Sequence, residues 1–528
     1  MSKQPIEVPG GIVSQPVTVL HSKGKRKWGV LAVISLSLFI ILLDVTIVNI
    51  ALPHIMTAFK VGLSSIEWVF NVYVLVFAAL LLTLGKLGDL FGRRLLFVIG
   101  LGIFTLASLG CSLAPSFGVL LIFRGIQAIG GAAMMPATLS ILNVEFSKGQ
   151  RGLALGIWGA VAGAANALGP IIGGSLVDAT SWRYIFVINV PIGIFAFIMA
   201  IIIVKESTDT ATNRHIDVPG VLIISLALFC LTFALVEGQK YGWTSPAILT
   251  LFAVALASFT AFVFVELRTA SPLAQLRLFR NRVFSAGNFI GMVQSFGLIG
   301  VIYLLVLFLQ IVLGFSALKA GLTLLPLPLA IIFVAPFAGR FTDIIGGRWI
   351  LFAGTLVTAL GIYLMSDLSV VTDWTNLMLP LAVCGVGMGL VMAPTTTVVM
   401  ASTPVQQSGM GAGILSTTRQ IGSVLGLSVL GAVLQNQLIN NVSQALTKIP
   451  IISETIREQM LNILQSGGIG SGGISLPGTI PDAFKAQLIT LFKDQFAHSL
   501  NATMKVGIIV VLCGTVASLL ISHVRSPE

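Results

Sequence analysis

Apolar runs long enough to cross a lipid bilayer recur along the whole 528-residue chain. A helix that crosses roughly 30 Å of hydrocarbon needs about 20 apolar residues. About fourteen such runs lie near 28–52, 66–84, 95–114, 117–142, 152–177, 185–204, 218–236, 246–265, 283–312, 320–338, 349–366, 376–400, 411–435 and 505–522. The sequence therefore predicts an all-α polytopic membrane protein with about fourteen transmembrane helices.

The composition excludes a water-soluble fold. Charged residues make up 9% of the chain and hydrophobic residues 56%, whereas soluble domains carry roughly 25% charged residues. The net charge of +11 comes from basic residues in short loops, and no basic helix or aromatic-interleaved patch suits a nucleic acid. The four cysteines lie inside apolar runs without the spacing of zinc ligands. We therefore expect a lipid bilayer as partner, and neither nucleic acid nor metal.

The distribution of lysine and arginine predicts the orientation in the membrane. With the N-terminus inside, the inner loops carry far more basic residues than the outer loops, whose basic residues are Lys60, Arg183, Lys240 and Lys319. An even number of spans then places both termini in the cytoplasm of a multi-pass protein of the cell membrane. The first apolar run lacks a small-residue cleavage site, which indicates a retained helix and not a signal peptide.

A charged loop recurs in the two halves of the chain. Gly85-Lys-Leu-Gly-Asp-Leu-Phe-Gly-Arg-Arg94 follows the second run, and Gly339-Arg-Phe-Thr-Asp-Ile-Ile-Gly-Gly-Arg348 follows the tenth. If spans 1–6 and 9–14 are the two halves, each loop follows the second span of its half. Duplicated helical bundles with a site between them at mid-depth are a transporter architecture. The repeat predicts two six-helix bundles plus two inserted helices.

The predicted domain boundaries follow from this repeat. They are a cytoplasmic tail 1–27, an N-terminal bundle 28–204, a cytoplasmic linker 205–217, inserted helices 7 and 8 with a basic loop 218–282, a C-terminal bundle 283–522 and a cytoplasmic tail 523–528. Within the last bundle, a long polar extracytoplasmic loop is expected at 436–504, with a glycine-serine linker at 467–473 between amphipathic stretches 455–466 and 481–500. The linker matches G-x-G-x-x-G, but no strand precedes it, so we interpret it as a flexible tether.

Asp44 is the one acidic residue deep inside an apolar run. A carboxylate there is costly unless it is paired, hydrated or protonated. Asp44 and Arg124, in the first and fourth runs, lie at similar depths of roughly 13 Å and 11 Å from the outer boundary. The two opposite charges could therefore meet, and a change in water access would shift the protonation of the carboxylate. Proton coupling requires such a shift; a plain helix–helix anchor is the alternative.

The repeated loop predicts a conformational latch, because an acid there can cap a helix N-terminus or pair with a nearby arginine. The residues of this latch are Gly85, Asp89, Gly92, Arg93, Arg94, Asp343 and Arg348. A simple cytoplasmic turn is the alternative.

Glycines in the fifth run allow a second helix to approach closely, and a proline there removes a backbone hydrogen bond. The residues concerned are Gly163, Gly169, Pro170, Gly173 and Gly174. They indicate either tight packing or a moving hinge.

Five further polar side chains lie at membrane depth, and each either lines a substrate cavity or bonds neighbouring helices. They are Asn49, Gln127, Asn166, Gln294 and Arg419.

Five segments together resemble the major facilitator superfamily, in its fourteen-helix drug:proton antiporter branch (the EmrB/QacA type). Gly85–Arg94 is similar to the signature loop between helices 2 and 3, with Leu90 where many members have arginine. The other four segments are similar to the motifs of helix 1 (Leu43–Pro53), helix 4 (Arg124–Gly130), helix 5 (Gly163–Gly174) and the helix 5–6 segment (Trp182–Pro191). The resemblance covers residues from about 28 to 522.

The resemblance implies a rocker-switch fold and multidrug efflux, the export of hydrophobic or cationic small molecules in exchange for protons. It implies roles for Asp44 and Arg124 in coupling, for Asp89 and Arg93 in gating, and for Gly169-Pro170 in the antiporter-type conformational change. The tenth run lacks the acid that favours dicationic drugs in some relatives, which argues against efficient export of dications.

Other functions remain as alternatives. An exporter of an endogenous lipid, siderophore or metabolite would share the fold. An integral-membrane enzyme would need a motif such as H-E-x-x-H or G-x-S-x-G, a primary pump would need a phosphate loop, and the sequence has none of these. A channel would lack the antiporter motifs. We therefore expect a secondary transporter that is not an enzyme and has no cofactor, with the proton as coupling ion.

The expected partners are a small-molecule substrate and the bilayer. A periplasmic adaptor would be a further partner in a Gram-negative host, and a monomer is expected to suffice for transport.

Overall fold

The computed structural model describes residues 26–61, 63–207, 217–269, 272–370, 373–447, 469–470, 473–474 and 482–521. The helices in these ranges are α1 (Arg26–Phe59), α2 (Leu63–Ile66), α3 (Trp68–Phe91), α4 (Arg93–Leu113), α5 (Phe117–Glu145), α6 (Lys148–Ala179), α7 (Tyr184–Val187), α8 (Asn189–Ile203), α9 (Val218–Tyr241), α10 (Pro246–Arg268), α11 (Arg282–Leu307), α12 (Ala317–Leu324), α13 (Pro326–Ile345), α14 (Gly347–Leu364), α15 (Trp374–Ala401), α16 (Ser408–Thr447) and α17 (Asp482–Ser518). A π-helical turn at Phe308–Val312 continues α11, and 3-10 turns lie at Leu276–Arg280 and Val405–Gln407. Strand β1 (Ile469–Gly470) pairs antiparallel with β2 (Gly473–Ile474).

The predicted number of membrane spans is confirmed. In the described ranges, fourteen helical segments are long and apolar enough to cross a membrane, with α7–α8 forming one of them and α12–α13 another. Large hydrophobic side chains cover the outside of the molecule; Leu106 and Leu256 are each 70% exposed and Ile202 is 69% exposed. A continuous apolar exterior of this kind is stable only when lipid surrounds it.

The helices enclose two large hydrophobic cores. One core is centred on the first half of the chain, with Phe104 and Leu139 among its buried residues. The other lies in the second half, with Leu304 and Leu381 among its buried residues. The division into domains of six, two and six helices stays a prediction, but these cores give each half its own packed interior.

The helix after the first linker, α9, touches both halves of the chain. It packs against α10, its neighbour in sequence, and against α3 and α16. Asn71 Nδ2 in α3 donates to Glu237 Oε1 in α9 at 3.1 Å, and Ser428 Oγ in α16 donates to the Leu235 carbonyl in α9 at 2.6 Å. Helix α9, the first helix of the predicted inserted pair, is therefore hydrogen-bonded to both halves.

The segment expected as a polar loop at 436–504 is largely helical where the structure describes it, and nearly all of the amphipathic stretch expected at 481–500 lies in α17; the position of the segment outside the membrane stays a prediction. Helix α16 continues to Thr447 and α17 begins at Asp482. The cause is an apolar stripe repeating every four residues on each helix: Leu438, Val442 and Leu446 on α16, and Leu488, Phe492 and Phe496 on α17, all buried in one core. We call this pair of helix extensions the α16–α17 stalk. The stretch 455–466, the tail 1–25, linker residues 208–216 and the end of the chain from 522 lie outside the described residues.

The stalk is expected to contribute measurably to stability. Phe492 is 2% exposed within it, and replacing a buried phenylalanine by alanine typically costs about 3–5 kcal/mol. Phe492→Ala should therefore lower the thermal unfolding temperature of the purified protein, whereas Ile489→Ala, at a position 41% exposed on the same helix, should change it little. Equal shifts in the two variants would contradict the stalk packing.

Candidate functional site

Asp44 lies at the centre of a polar network formed by four helices. Arg124 Nη1 in α5 donates to Asp44 Oδ2 at 2.6 Å. The other carboxylate oxygen, Oδ1, accepts from Gln127 Nε2 at 2.9 Å and from Asn189 Nδ2 in α8 at 3.0 Å. Arg124 Nη1 also donates to Gln127 Oε1 at 2.8 Å, and Asn189 Nδ2 to Ser108 Oγ in α4 at 3.1 Å. The opposite charges that the sequence placed at similar depths are in direct contact.

The network is sealed from solvent. Asp44 is 1% exposed and Arg124 is 0% exposed. The Arg124 guanidinium carbon lies 4.5 Å from the centre of the Tyr73 ring and 5.7 Å from that of Phe186, and its Nε donates to the Val69 carbonyl at 3.1 Å. In such surroundings charge-assisted hydrogen bonds are strong, and an unpaired charge is costly.

Protonation of Asp44 changes how its carboxylate interacts with Arg124, Gln127 and Asn189. Both carboxylate oxygens accept from N–H donors of the guanidinium and the two amides. Oδ1 accepts two of these hydrogen bonds and Oδ2 accepts one. A proton on Asp44 removes the negative charge that neutralises Arg124 and leaves the guanidinium buried without a counter-charge. Proton binding at Asp44 therefore destabilises the network and favours separation of Asp44 from Arg124.

Asp89 joins the two halves of the chain at one end of the molecule. Its Oδ1 accepts from the backbone N–H of Gly409 and its Oδ2 from that of Met410, each at 2.8 Å, at the start of α16. Arg93 forms an ion pair with Asp89 at 2.8 Å and also donates to the carbonyls of Val405 and Gln406, at 2.8 and 3.1 Å. Asp89 thus both caps a helix N-terminus, where negative charge is favoured, and pairs with an arginine.

Asp343 makes the equivalent contact in the other direction. Its two carboxylate oxygens accept from the backbone N–H of Gly152, in the first turns of α6, at 3.1 and 2.9 Å. Each half therefore supplies an aspartate that binds the beginning of a helix in the other half. The two contacts together hold the halves closed at this end.

Backbone contact between glycines makes both latches tight. A Cβ atom at Gly85 would lie 2.5 Å from the Gly409 carbonyl oxygen. A Cβ atom at Gly152 would overlap the carbonyl of Gly339, where α6 crosses α13. Small residues at these crossings let the helix axes approach closely enough for the aspartates to reach their N–H donors.

The remaining latch residues have other roles in the structure. Gly92 has a φ of 122°, which a residue with a side chain rarely adopts, and it begins the turn from α3 to α4. Arg94 donates from its backbone N–H to Glu206 at 3.1 Å and from its side chain to the Ile201 carbonyl at 2.7 Å. Arg348, predicted as part of the latch, forms no ion pair with Asp343 in the described part of the chain; its guanidinium carbon lies 5.2 Å from the Trp349 ring centre.

The glycines of α6 face three different helices, α13, α1 and α12. Gly163 contacts α13, where a Cβ atom at this glycine would lie 3.3 Å from the Ile331 side chain. Gly169 contacts Thr46 of α1, and Gly173 lies against Ile47 and Ile50 of the same helix. At Gly174, a Cβ atom would lie 4.0 Å from Leu318 in α12. Helix α6 is therefore packed between its own half and the opposite half, and it is continuous through Pro170, whose side chain lies outside the described residues.

The five polar side chains proposed for a cavity have different surroundings. Gln127 donates to Asp44 of a neighbouring helix and is 0% exposed, which fits the second of the two roles expected for it; a role in a substrate cavity stays a prediction. Asn166 donates to the Ala162 carbonyl of its own helix at 3.1 Å, and Gln294 to the Met388 carbonyl at 3.0 Å. Arg419 donates to the Met392 carbonyl at 3.2 Å and to Thr396 Oγ1 at 2.8 Å. The side chain of Asn49 lies outside the described residues.

The site contains residues that the sequence did not single out. Asn189 and Ser108 complete the surroundings of Asp44, and Tyr73 covers Arg124. Asn189 could have been predicted from the sequence, because it lies in the motif-like segment Trp182–Pro191, just inside an apolar run. Ser108 could not have been predicted, since a serine inside an apolar run is common in packed membrane helices.

Removal of the charge on Asp89 should weaken the first latch. A hydrogen bond to a charged group contributes about 1.5–3 kcal/mol, so Asp89→Asn is expected to raise the population of the open latch by roughly tenfold or more. Labelling of Ser408→Cys, at a position buried in the closed latch, with a membrane-impermeant thiol reagent would measure this. The control is Asp367→Asn, at an exposed position outside the latch. An unchanged labelling rate in Asp89→Asn would argue against the latch.

Comparison with known proteins places the chain in a family. Residues 34–427 match the Major Facilitator Superfamily, and the chain belongs to that superfamily, a family of transporters and not of enzymes. The resemblance noted in the sequence is thereby confirmed.

Two relatives and one solved structure illustrate the similarity. The chain is 34% identical over 438 residues to the tetracenomycin C resistance and export protein of Streptomyces glaucescens, which covers 83% of this chain and 81% of that one. It is 32% identical over 517 residues to the multidrug transporter protein MdtP of Bacillus subtilis (strain 168), with coverage of 96% and 95%. The human organic anion transporter MFSD10 (TETRAN) superposes with a TM-score of 0.60 at 14% identity, over 92% of this chain and 100% of that one. At that identity the likeness establishes the fold alone.

Proposed function

We propose that the chain is a proton-coupled antiporter that exports hydrophobic small molecules, cations among them, by alternating access, as in multidrug efflux. The observation that carries the proposal is the Asp44 carboxylate, whose two oxygens both accept hydrogen bonds in a sealed network. Relatives named as resistance, export and multidrug transport proteins support the same function. The proton is the coupling ion, and no cofactor is needed.

Opening and closing of the two latches alternates access between the two faces of the membrane. With Asp89 bound to α16 and Asp343 bound to α6, access from one membrane face is closed. We infer from the positive-inside distribution that this face is cytoplasmic and that both termini lie there. Opening requires that both aspartates leave their helix N-termini, and the two bundles, with the inserted pair, then rock against each other.

Coupling follows from the loss of the Asp44–Arg124 ion pair when a proton binds Asp44. When the cavity opens outward, water reaches Asp44, a proton binds, and Arg124 is released from its partner. When the cavity opens inward, the proton leaves and the network can form again. Substrate and proton therefore compete for the same set of conformations, which is the requirement for antiport.

Transport by purified protein in proteoliposomes with an imposed pH gradient tests the proposal. We expect the gradient to drive accumulation of some members of a panel of dyes and antibiotics, and a protonophore to abolish it. Protein-free vesicles serve as the control. Flux that ignores the pH gradient, or transport of no compound in the panel, would overturn the proposed function and favour a channel or an exporter of an endogenous solute.

The panel should contain neutral, cationic and anionic compounds of similar size. A monomer in a bilayer is expected to suffice, so the specific transport rate should not depend on the protein density in the vesicles. A periplasmic adaptor, in a Gram-negative host, would alter the destination of the substrate and not the coupling.

A further inference from the structure

Arg419 carries a positive charge in the first third of α16. It stands eleven residues after Ser408, the first residue of that helix, and hence about 16 Å along the axis. This is about half of the roughly 30 Å of hydrocarbon. A guanidinium keeps its proton in proteins, so the charge is permanent. No ion pair joins Arg419 to a carboxylate in the part of the chain that the structure describes.

The guanidinium is only partly used by the protein. Its Nη2 donates to the Met392 carbonyl and to Thr396 Oγ1, both on α15. No hydrogen bond of Nε or Nη1 is found within the described residues, and neither atom is among the fully buried ones that lack a partner. The side chain as a whole is half-buried. The Nε and Nη1 atoms of Arg419 are therefore not fully enclosed and have no hydrogen-bond partner among the described residues.

The guanidinium of Arg419 lies beside the boundary between the two halves. Met392, whose carbonyl holds the guanidinium, packs against both hydrophobic cores. Its sulfur lies 3.6 Å from the position a Cβ atom would take at Gly159 of α6, in the opposite half. Arg419 also approaches Gly291 of α11, with its Cγ 3.6 Å from the equivalent position. The free donors are thus at mid-depth and next to the surface along which the halves must separate.

The charges at this depth do not balance. Asp44 is already neutralised by Arg124, and the aspartates of the latches are bound at helix N-termini at one end of the molecule. Arg419 therefore adds an uncompensated positive charge to the interior. An isolated charge at the centre of a bilayer is costly, and an anion is the partner that reduces this cost.

Hydroxyl groups close to Arg419 add further donors. Thr395 precedes Thr396 on α15, and Ser416 stands one turn before Arg419 on α16. Both side chains are buried, and their oxygens have no hydrogen-bond partner among the described residues. Hydroxyls beside a guanidinium can donate to an oxyanion and complete its hydrogen bonds.

We propose that Arg419 recognises an anionic group of the transported molecule, a carboxylate or a comparable oxyanion on a hydrophobic body. This rests on the proposed export function and narrows its substrate range toward amphipathic acids. Both open edges of the guanidinium include Nη2, which already donates to Met392 and Thr396, so a carboxylate accepts single charge-assisted hydrogen bonds from Nε or Nη1. An unpaired cation at the same place repels cationic substrates, in line with the lack of an acid in the tenth run.

Equilibrium binding of a matched pair of dyes tests this inference. Tetramethylrhodamine carries a free carboxylate on a cationic aromatic body, and its methyl ester keeps the same cationic body with the carboxylate masked. Fluorescence anisotropy with purified protein should give a dissociation constant for the acid that is lower by about tenfold, within the range expected for a hydrogen bond to a charged group. Equal or tighter binding of the ester to the wild-type protein would overturn the proposal.

Two variants and one control identify Arg419 as the cause. Arg419→Gln should remove the preference by weakening binding of the acid and strengthening binding of the cationic ester, which the Arg419 charge no longer repels, whereas Arg419→Lys should keep part of the preference, because it retains the charge with fewer N–H donors. Thr396→Val, which removes one partner of the guanidinium but not the charge, should retain the preference. If Arg419→Gln loses affinity for both dyes equally, at an unchanged unfolding temperature, Arg419 has a structural role only.

The binding assay separates this inference from the proposed function. If no dye is transported in response to a pH gradient but the acid still binds better than its ester, the antiport proposal fails and the anion site stands. If transport is proton-driven but the ester is bound and carried as well as the acid, the anion site fails and the antiport proposal stands.

Discussion

Asp44→Asn is expected to reduce proton-driven accumulation of substrate to the level of protein-free vesicles, while substrate still binds. Asparagine keeps the size of the side chain and one acceptor oxygen, but it cannot take up a proton. Its amide nitrogen would also face donors, because both oxygens of Asp44 accept hydrogen bonds from Arg124, Gln127 and Asn189. The measurement is uptake into proteoliposomes under a pH gradient, with equilibrium binding measured on the same preparation.

The same substitution should also destabilise the protein, and the two effects can be separated. Loss of one partner from a buried ion pair costs about 3–5 kcal/mol, since the other charge is left unpaired. The double variant Asp44→Asn with Arg124→Gln removes both charges and is expected to recover part of the unfolding temperature, but not the proton-driven uptake. Proton-driven uptake by Asp44→Asn at the wild-type rate would contradict the role of Asp44 in coupling.

The contact between Asp44 and Arg124 could be predicted because depth along a helix can be counted from the sequence. Each residue adds about 1.5 Å, so two charges at equal distances from the same membrane face are candidates to meet. The other partners could not be predicted in this way. Gln127 and Asn189 also lie at membrane depth, but an amide there bonds to any nearby acceptor, and the sequence does not state which neighbour is nearest.

The latches were only half predictable for a similar reason. The repeat placed Asp89 and Asp343 in equivalent positions, and both acids do reach helix N-termini. Each aspartate binds a helix of the opposite half because of the way the two halves dock. The positions of hydrophobic runs in the sequence do not predict this docking. Arg348 illustrates the limit: it follows the repeat in sequence, yet its guanidinium lies beside Trp349 and not against Asp343.

The extension of α16 to Thr447 was missed because the boundaries were drawn where continuous hydrophobicity stops, whereas the amphipathic stretch expected at 481–500 did indicate the first part of α17. That criterion detects lipid-facing helices, whose whole circumference is apolar. A helix that packs only one face against a neighbour needs only one apolar stripe, as on α16 and α17, where Val442 and Phe492 belong to the same core. The period of the apolar residues, and not their density, was the informative quantity there.

Gly152→Val is expected to prevent closure of the second latch and to abolish transport. A Cβ atom at Gly152 would overlap the carbonyl of Gly339 and would lie 2.8 Å from Asp343 Cγ. Both obstacles belong to the opposite half, and one is backbone, so a side-chain rotation cannot relieve the overlap. The halves must move apart, and Asp343 then loses the N–H of Gly152 that it binds in the closed state.

Gly149 offers a control one turn earlier on the same helix, since nothing lies within 4 Å of a Cβ atom there. Alanine in place of glycine stabilises an exposed helical position by up to about 1 kcal/mol, so Gly149→Ala should transport normally and unfold at an equal or higher temperature. Gly152→Ala should already slow transport, and Gly152→Val should stop it and raise the labelling of Thr342→Cys, which is 6% exposed in the closed state. Because the two alanine substitutions differ only in their position along α6, normal transport by Gly152→Ala and Gly152→Val would mean that the halves need not touch at this crossing, and the latch would have to be assigned to Asp89 alone.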